Sequence, residues 1–211
     1  MKVVETPRVV ENVYESMREE LSKERTGFHL SDALYCNIKA LIRKEGRGLP
    51  LANEQVMNFW RGHAMQYFIH REEDVTYEVD GVIMTPDIVD RFGCGLVEMK
   101  TANGYAEKFY PPEIDSHQIR QLMGYCKALD LLEGTLFAVF FIKYPPYLKT
   151  RAWRYQFTKY EIEDNWAEIL RRKEIIEKAL EDRALPTEVI KSFDKECGYC
   201  EVSVICPYKE G

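Results

Sequence analysis

The sequence predicts an α/β fold with a mixed central sheet flanked by helices, and three observations carry that expectation. Apolar residues recur at helical spacing in 53–70, 116–132 and 160–181. Strand-sized runs, alternating or wholly apolar and punctuated by glycine or proline, lie between them at 75–101 and 136–157. The resulting order is helix, strands, helix, two strands, helix, which suits helices laid on the faces of a sheet. A length of 211 residues fits one domain, 1–211, with a small lobe formed by about 28–50 and 184–211.

The elements follow in order. Val9 to Lys23 reads as a mostly exposed helix, and Ser31-Asp32 as the cap of a short helix carrying Cys36. Lys44 to Pro50, with Gly46, Gly48 and Pro50, reads as a loop. Asn53 to His70 is a predicted helix with a stripe of Val56, Phe59, Trp60, Met65, Phe68 and Ile69. A β-meander is expected next, through Val75–Val79, Val82–Met84, Asp87–Arg91 and Leu96–Thr101, with Gly81 and Gly93-Cys94-Gly95 as breaks. Tyr105 to Asp115, containing Pro111-Pro112, is a long polar and aromatic loop of the kind that often serves function. Ser116 to Leu132 is helical, with Ile119, Leu122, Met123, Cys126 and Leu129 on one face. Strands are expected at Leu136–Tyr144 and Ala152–Phe157, around Pro145-Pro146. Tyr160 to Glu181 is a long charged helix that buries Trp166, Ile169, Leu170, Ile176 and Leu180. Arg183 to Cys197 is a linker.

Composition narrows the function classes. With 45 % apolar and 30 % charged residues, the chain is of ordinary globular make-up. Residues 1–20 are charged from the start and lack the apolar core of a secretory signal. No apolar run approaches the ~18 residues of a membrane span, so a cytoplasmic protein with no membrane partner is expected. Six cysteines in a reducing compartment point to metal ligation rather than disulfides. Cys126, inside an apolar helical stretch, is expected to be a small core residue, and Cys94 an incidental turn residue. The net charge of −6 does not advertise nucleic-acid binding, but the local field counts for more than the total. Lys143 to Tyr160 holds Lys143, Lys149, Arg151, Arg154 and Lys159, interleaved with Tyr144, Tyr147, Trp153, Tyr155 and Tyr160, and no acid. Such a mix suits phosphates and stacked bases, and equally a hairpin with one buried aromatic face.

Two constellations carry chemistry. Cys197-x-x-Cys200-x5-Cys206 closes the chain, and Cys36 stands alone far upstream. Four thiolates suit a tetrahedral zinc or an iron–sulfur cluster, and either would tie the two regions together. The second constellation is Asp87 followed by Glu98-x-Lys100. Side chains alternate along a strand, so Glu98 and Lys100 share one face, and pairing with the strand of Asp87 brings the carboxylates together. Asp87 and Glu98 then offer hard oxygen ligands for Mg²⁺ or Mn²⁺, with the Val97 or Met99 carbonyl as a further ligand. Lys100 can orient a water or stabilise developing negative charge.

The order of these residues resembles the RecB-like branch of the PD-(D/E)xK nucleases. Gln121-x3-Tyr125 is similar to the Gln-x3-Tyr element that follows the catalytic lysine there, with His117 one turn earlier. Gly62-x3-Gln66 stands where that branch usually has Gly-x3-His. Cys36, Cys197, Cys200 and Cys206 resemble the cluster of the CRISPR-associated Cas-four nucleases and of AddB-type repair nucleases, and the small size looks most like the stand-alone Cas-four type. The resemblance implies a restriction-endonuclease-like core whose termini are clasped by the four-cysteine cluster, commonly 4Fe-4S. It implies a Mg²⁺- or Mn²⁺-dependent nuclease acting on single-stranded DNA or DNA ends, beside CRISPR integration proteins or other repair proteins. Asp87, Glu98 and Lys100 would be catalytic, Gln66 a metal ligand, and Gln121, Tyr125 and His117 substrate-positioning residues. Gln66 departs from the family histidine, and His63 and His70 lie within one turn of it. A non-catalytic module that binds DNA ends or a partner is the competing reading.

Overall fold

Leu96–Asn103 forms the strand on which the rest of the architecture is hung. The computed structural model describes residues 7–21, 25–47, 50–69, 75–90, 93, 95–103, 111, 116–142, 147–192 and 196–208. Cys94, His70, Lys143, Tyr144 and all of the 105–115 loop except Pro111 lie outside the described residues. In chain order the elements are α1 (Pro7–Leu21), β1 (Phe28–His29), α2 (Leu30–Leu34), α3 (Asn37–Lys44), α4 (Asn53–Ile69), β2 (Tyr77–Val79), β3 (Val82–Met84), β4 (Ile88–Val89), β5 (Leu96–Asn103), α5 (His117–Leu129), β6 (Glu133–Phe141), β7 (Leu148–Gln156), α6 (Lys159–Asp182) and a 3₁₀ turn at Glu196–Tyr199.

The expected α/β class with mixed sheets and flanking helices is what the chain forms, but the predicted meander divides between two sheets. A four-stranded sheet runs β4-β5-β6-β7, and a three-stranded sheet runs β1-β3-β2. β5 and β6 are parallel, which requires the crossover that α5 supplies, while β4 and β7 pair antiparallel at the two edges. β2 and β3 form a hairpin through Asp80 and Gly81, both at positive φ, the geometry that matches strand twist in a two-residue turn. That hairpin pairs with β1 and so leaves the β4–β5 sheet, because Phe28–His29 adds a parallel partner from far upstream.

The main core lies where α2, α5 and α6 meet the sheets, around Leu34, Leu96, Ile119, Leu122, Leu136, Trp166 and Ile169. Cys126 is fully buried there, as its helical register predicts, and burial pushes its thiol up to about 12. Gly124 lets α5 approach α2 closely: a Cβ there would stand 2.8 Å from a Leu30 methyl. α6 starts at the Thr158/Glu161 capping box, in which each side chain binds the other residue's backbone N–H. The stripe predicted for α4 is only partly used. Val56 is buried, but Phe59 is 46 % exposed, since α4 packs against α1 and β5 alone among the described elements with substantial contact. Among the described residues no helix is long and apolar enough to cross a membrane.

Cys36 does not ride on the short helix predicted for it. It is the N-cap of α3, one residue beyond the end of α2 and Tyr35. His29, rather than Ser31, caps α2, with Asp32 accepting from the His29 N–H. The 184–192 linker is pinned to this region by Asn37. Its side chain donates to the Glu188 carbonyl at 2.7 Å and accepts from the Ile190 N–H at 2.9 Å, while its backbone N–H donates to the Ile190 carbonyl at 3.2 Å. Asn37 is 1 % exposed, so Asn37→Ala takes this partner from the buried Ile190 N–H and from the Glu188 carbonyl. The expected cost is about 2 kcal/mol, read by chemical denaturation with an unchanged m-value.

Candidate active site and cysteine cavity

β4 is short and pairs with β5 only at Ile88–Val97 and Val89–Leu96, so from Glu98 onward that edge of β5 is not covered by β4. Asp87, just ahead of β4, turns its carboxylate onto this edge and accepts from the Met99 N–H at 2.6 Å. The N–H and C=O of one strand residue share an edge, so the Met99 carbonyl is directed to the same side. Gln66 arrives from α4, its amide donating to the other Asp87 oxygen at 2.6 Å. Gln66 meets Asp87, whereas His63 is exposed.

Glu98 and Lys100 share one face of β5, as alternation predicts. The Lys100 ammonium donates to Glu98 Oε1 and to Gln121 Oε1 on α5, the latter at 2.9 Å. Gln121 in turn donates to the Tyr125 hydroxyl at 2.6 Å. Tyr125 is 4 % exposed, and its place in the array is to hold Gln121, which holds Lys100; a substrate would not touch it directly. His117 opens α5, and its ring packs on Tyr35 with centroids 5.2 Å apart. Burial, with Lys100 and Lys39 nearby, pushes His117 down to about 4, so the imidazole is neutral near pH 7.

The electrostatics are those of a site short of positive charge. Glu98 is only 2 % exposed, and its Oε2 finds no hydrogen-bond partner among the described residues. Burial pushes Glu98 up to about 8 against the pull of Lys100, and the nearby Asp87 adds to the rise. Burial also raises Asp87, opposed by the Met99 N–H and by Lys100. Lys100 stands above the usual lysine value: burial works against its charge, but Glu98 and Asp87 outweigh it. Two carboxylates thus face one ammonium. A divalent cation fits that donor set: Asp87, Glu98, the Met99 carbonyl and the oxygen of Gln66, after an amide flip, could hold it.

The four predicted cysteines meet at a second place. Cys36, Cys197, Cys200 and Cys206 line one cavity together with Lys39, Glu196, Val202 and Ser203. Among the described residues, no group of three or more His, Cys, Asp or Glu side chains is arranged to hold a metal ion. The cysteines nevertheless face one space from both ends of the chain, and a four-thiolate set suits a soft or iron–sulfur centre. Sequence reading missed two supports of this cavity. Glu196, 4 % exposed, accepts from the backbone N–H of Cys36 at 2.8 Å and of Ser192 at 2.7 Å, joining the two cysteine segments directly. Lys39 pairs with Glu201 at 3.0 Å and lies over the Tyr35 ring at 4.8 Å. The signals were a carboxylate immediately before Cys197 and a lysine one turn after Cys36.

The basic and aromatic stretch forms β7 and its flanks. Arg151 and Arg154 are exposed and Trp153 and Tyr155 pack toward the core, whereas Tyr147 and Tyr160 are exposed, so only part of the aromatic set forms a buried face.

No protein-family model matches the chain. No curated protein matches it either. A solved structure described as "Crystal structure of SSO0001" is similar over 97 % of this chain and 98 % of its own, with 22 % sequence identity and a TM-score of 0.63. At that identity the likeness shows a shared fold.

Proposed function

We propose that this chain is a divalent-metal-dependent deoxyribonuclease of the RecB-like PD-(D/E)xK kind, with a restriction-endonuclease-like core built on β4, β5, α5, β6 and β7. One observation carries the reading: the buried carboxylate of Glu98, with an oxygen lacking a partner among the described residues, converges with Asp87, Lys100 and Gln66 at the strand edge beyond β4. Burying a carboxylate in that condition is costly, and a protein core has no use for it. A bound Mg²⁺ or Mn²⁺ would supply Lewis acidity toward a phosphodiester and an acidified water. Asp87 and Glu98 would hold it, and Lys100, steadied by Gln121 and Tyr125, would place a positive charge beside the attacked phosphate. The substrate class is single-stranded DNA or DNA ends. Cys36, Cys197, Cys200 and Cys206 would hold a structural iron–sulfur cluster of the 4Fe-4S kind. CRISPR integration proteins or other repair proteins are the partners this reading implies.

Gln66 favours a second reading, a DNA-end or partner-binding module that does not cut. Its neutral amide already satisfies Asp87 where an imidazole would supply a stronger metal ligand. End-labelled single-stranded DNA incubated with the protein and Mn²⁺ or Mg²⁺ separates the two. Cutting that stops with chelator and falls about a hundredfold in Lys100→Met supports the nuclease. Folded protein that binds the strand without cutting it supports the module.

A further inference from the structure

Tyr35 joins α2 to α3 in extended backbone, and its half-buried ring reaches the first residue of α5. Two contacts fix that ring. The His117 ring packs on it with centroids 5.2 Å apart, and the Lys39 ammonium lies over it at 4.8 Å. Lys39 is itself held by Glu201 at 3.0 Å. His117 and Gln121 are four residues apart, so they share one face of α5 and stand about 6 Å from each other along the helix. Gln121 accepts from Lys100 at 2.9 Å. Tyr35 therefore sits about one helical turn from the Lys100 end of the carboxylate site.

The hydroxyl is the informative part of this side chain. The ring packs against the edge of the main core, a place that phenylalanine would fill as well. Among the described residues the hydroxyl makes no hydrogen bond, yet it is not sealed from solvent. Burial raises it above the usual tyrosine value; Lys100 opposes that rise, while Glu196 and Glu98 add to it. The phenol thus keeps its proton near pH 7 and stands in the field of the carboxylate site. A protonated hydroxyl on a fixed ring is a preset donor, and a donor beside an ammonium suits an anionic oxygen. We propose that Tyr35 is a further substrate-binding residue, its hydroxyl donating to a non-bridging phosphate oxygen of the single strand delivered to Asp87, Glu98 and Lys100. This assignment rests on the nuclease reading for its substrate. Lys39 and His117 hold the ring in advance, so little side-chain freedom is lost when the hydroxyl binds.

The test is fluorescence anisotropy of a short labelled single-stranded oligonucleotide across a salt series, with Ca²⁺ in place of Mg²⁺ or Mn²⁺. Tyr35→Phe and Tyr35→Leu are compared with the wild type, each checked by thermal melting, and cutting is measured in parallel with Mn²⁺. Tyr35→Phe removes the hydroxyl and keeps the ring, so it is expected to melt with the wild type and to bind about tenfold more weakly, the worth of one hydrogen bond to a charged group. The slope of log K against log salt should stay as in the wild type, because a neutral hydroxyl displaces no counterion. Tyr35→Leu also loses the ring contacts and is expected to bind as weakly or more weakly and to melt lower. Wild-type affinity in Tyr35→Phe overturns the contact. So does a loss of affinity that comes with a lower melting point or a changed slope, because the hydroxyl would then act through packing or through the placing of Lys100. If the wild type binds without cutting and Tyr35→Phe weakens binding at constant slope, the nuclease reading fails and the contact stands. If the wild type cuts and Tyr35→Phe is unaltered, the contact alone fails. Absence of any binding by the wild type overturns both.

Discussion

Glu98→Gln is expected to lower metal-dependent cleavage of single-stranded DNA by roughly a thousandfold or more while leaving the folded protein as stable as before or more so. The amide keeps the shape of the carboxylate and can still accept from Lys100. What it loses is the charge that burial disfavours and the oxygen that has no partner. A residue that matters only to the core would behave oppositely, losing stability first.

The pH dependence provides an independent readout. Folding raises Glu98 to about 8, against about 4.3 in an unfolded chain. Between those values the folded protein keeps a proton that the unfolded chain has released. Stability from this group is therefore greatest on the acid side and declines as pH rises toward about 8, the reverse of a carboxylate held by a salt bridge. Asp87, also raised by burial, acts with the same sign. Lys100 is raised as a base; its contribution is present below the unfolded lysine value and lost only as pH climbs past the folded one. Melting of the metal-free wild type should thus fall between about pH 5 and pH 8, and Glu98→Gln should lack most of that slope. Near pH 8 the variant is expected to melt about 3 °C or more above the wild type. A variant that melts lower at every pH and still cuts would reject the assignment of Glu98.

If the wild type is brown with iron, as proposed, Cys200→Ala is expected to give a colourless protein without bound iron that melts on the order of 10 °C lower. Metal held from both ends of a chain contributes directly to folding. The loss is expected to stop short of detaching the C-terminal segment. Glu196 binds the Cys36 and Ser192 N–H groups, and Asn37 binds Glu188 and Ile190, none of them through a thiolate. Far-ultraviolet circular dichroism should therefore stay close to that of the wild type at room temperature. Cys126→Ala serves as the control: it opens a small space in the main core but should keep colour and iron. Iron and stability retained in Cys200→Ala would remove the cluster from the account, and zinc in place of iron would change its kind.

Local pattern made much of this protein legible. The 3.6-residue spacing of Ile119, Leu122, Met123 and Cys126 located α5, whose observed end at Leu129 is set by Asp130 in the left-handed conformation. Two-residue alternation placed Glu98 and Lys100 on one flank of β5, and helical spacing placed Gln121 above Tyr125. α3 lies outside the expected elements although Ile38, Leu41 and Ile42 recur at helical spacing, because its eight residues fall short of the 11–18-residue window over which periodicity is read. The burial of Arg172 was equally hidden. It depends on the Ala33 carbonyl, 139 residues away in sequence, and on Glu168 one turn back along α6.

The sequence by itself determined the class of fold, the helix and strand faces, and the residue types available to each candidate site, because these follow from side-chain period and chemistry within a few residues. Only the tertiary structure decided which strands share a sheet, that β4 pairs with β5 no further than Val97, and that Gln66 and Asp87 meet at the edge beyond it. It also decided that Cys36 faces the three C-terminal cysteines across a cavity steadied by Glu196. Those outcomes depend on contacts between distant segments, and the free energy of such contacts comes from burial and hydrogen bonds that exist only once both segments are in place.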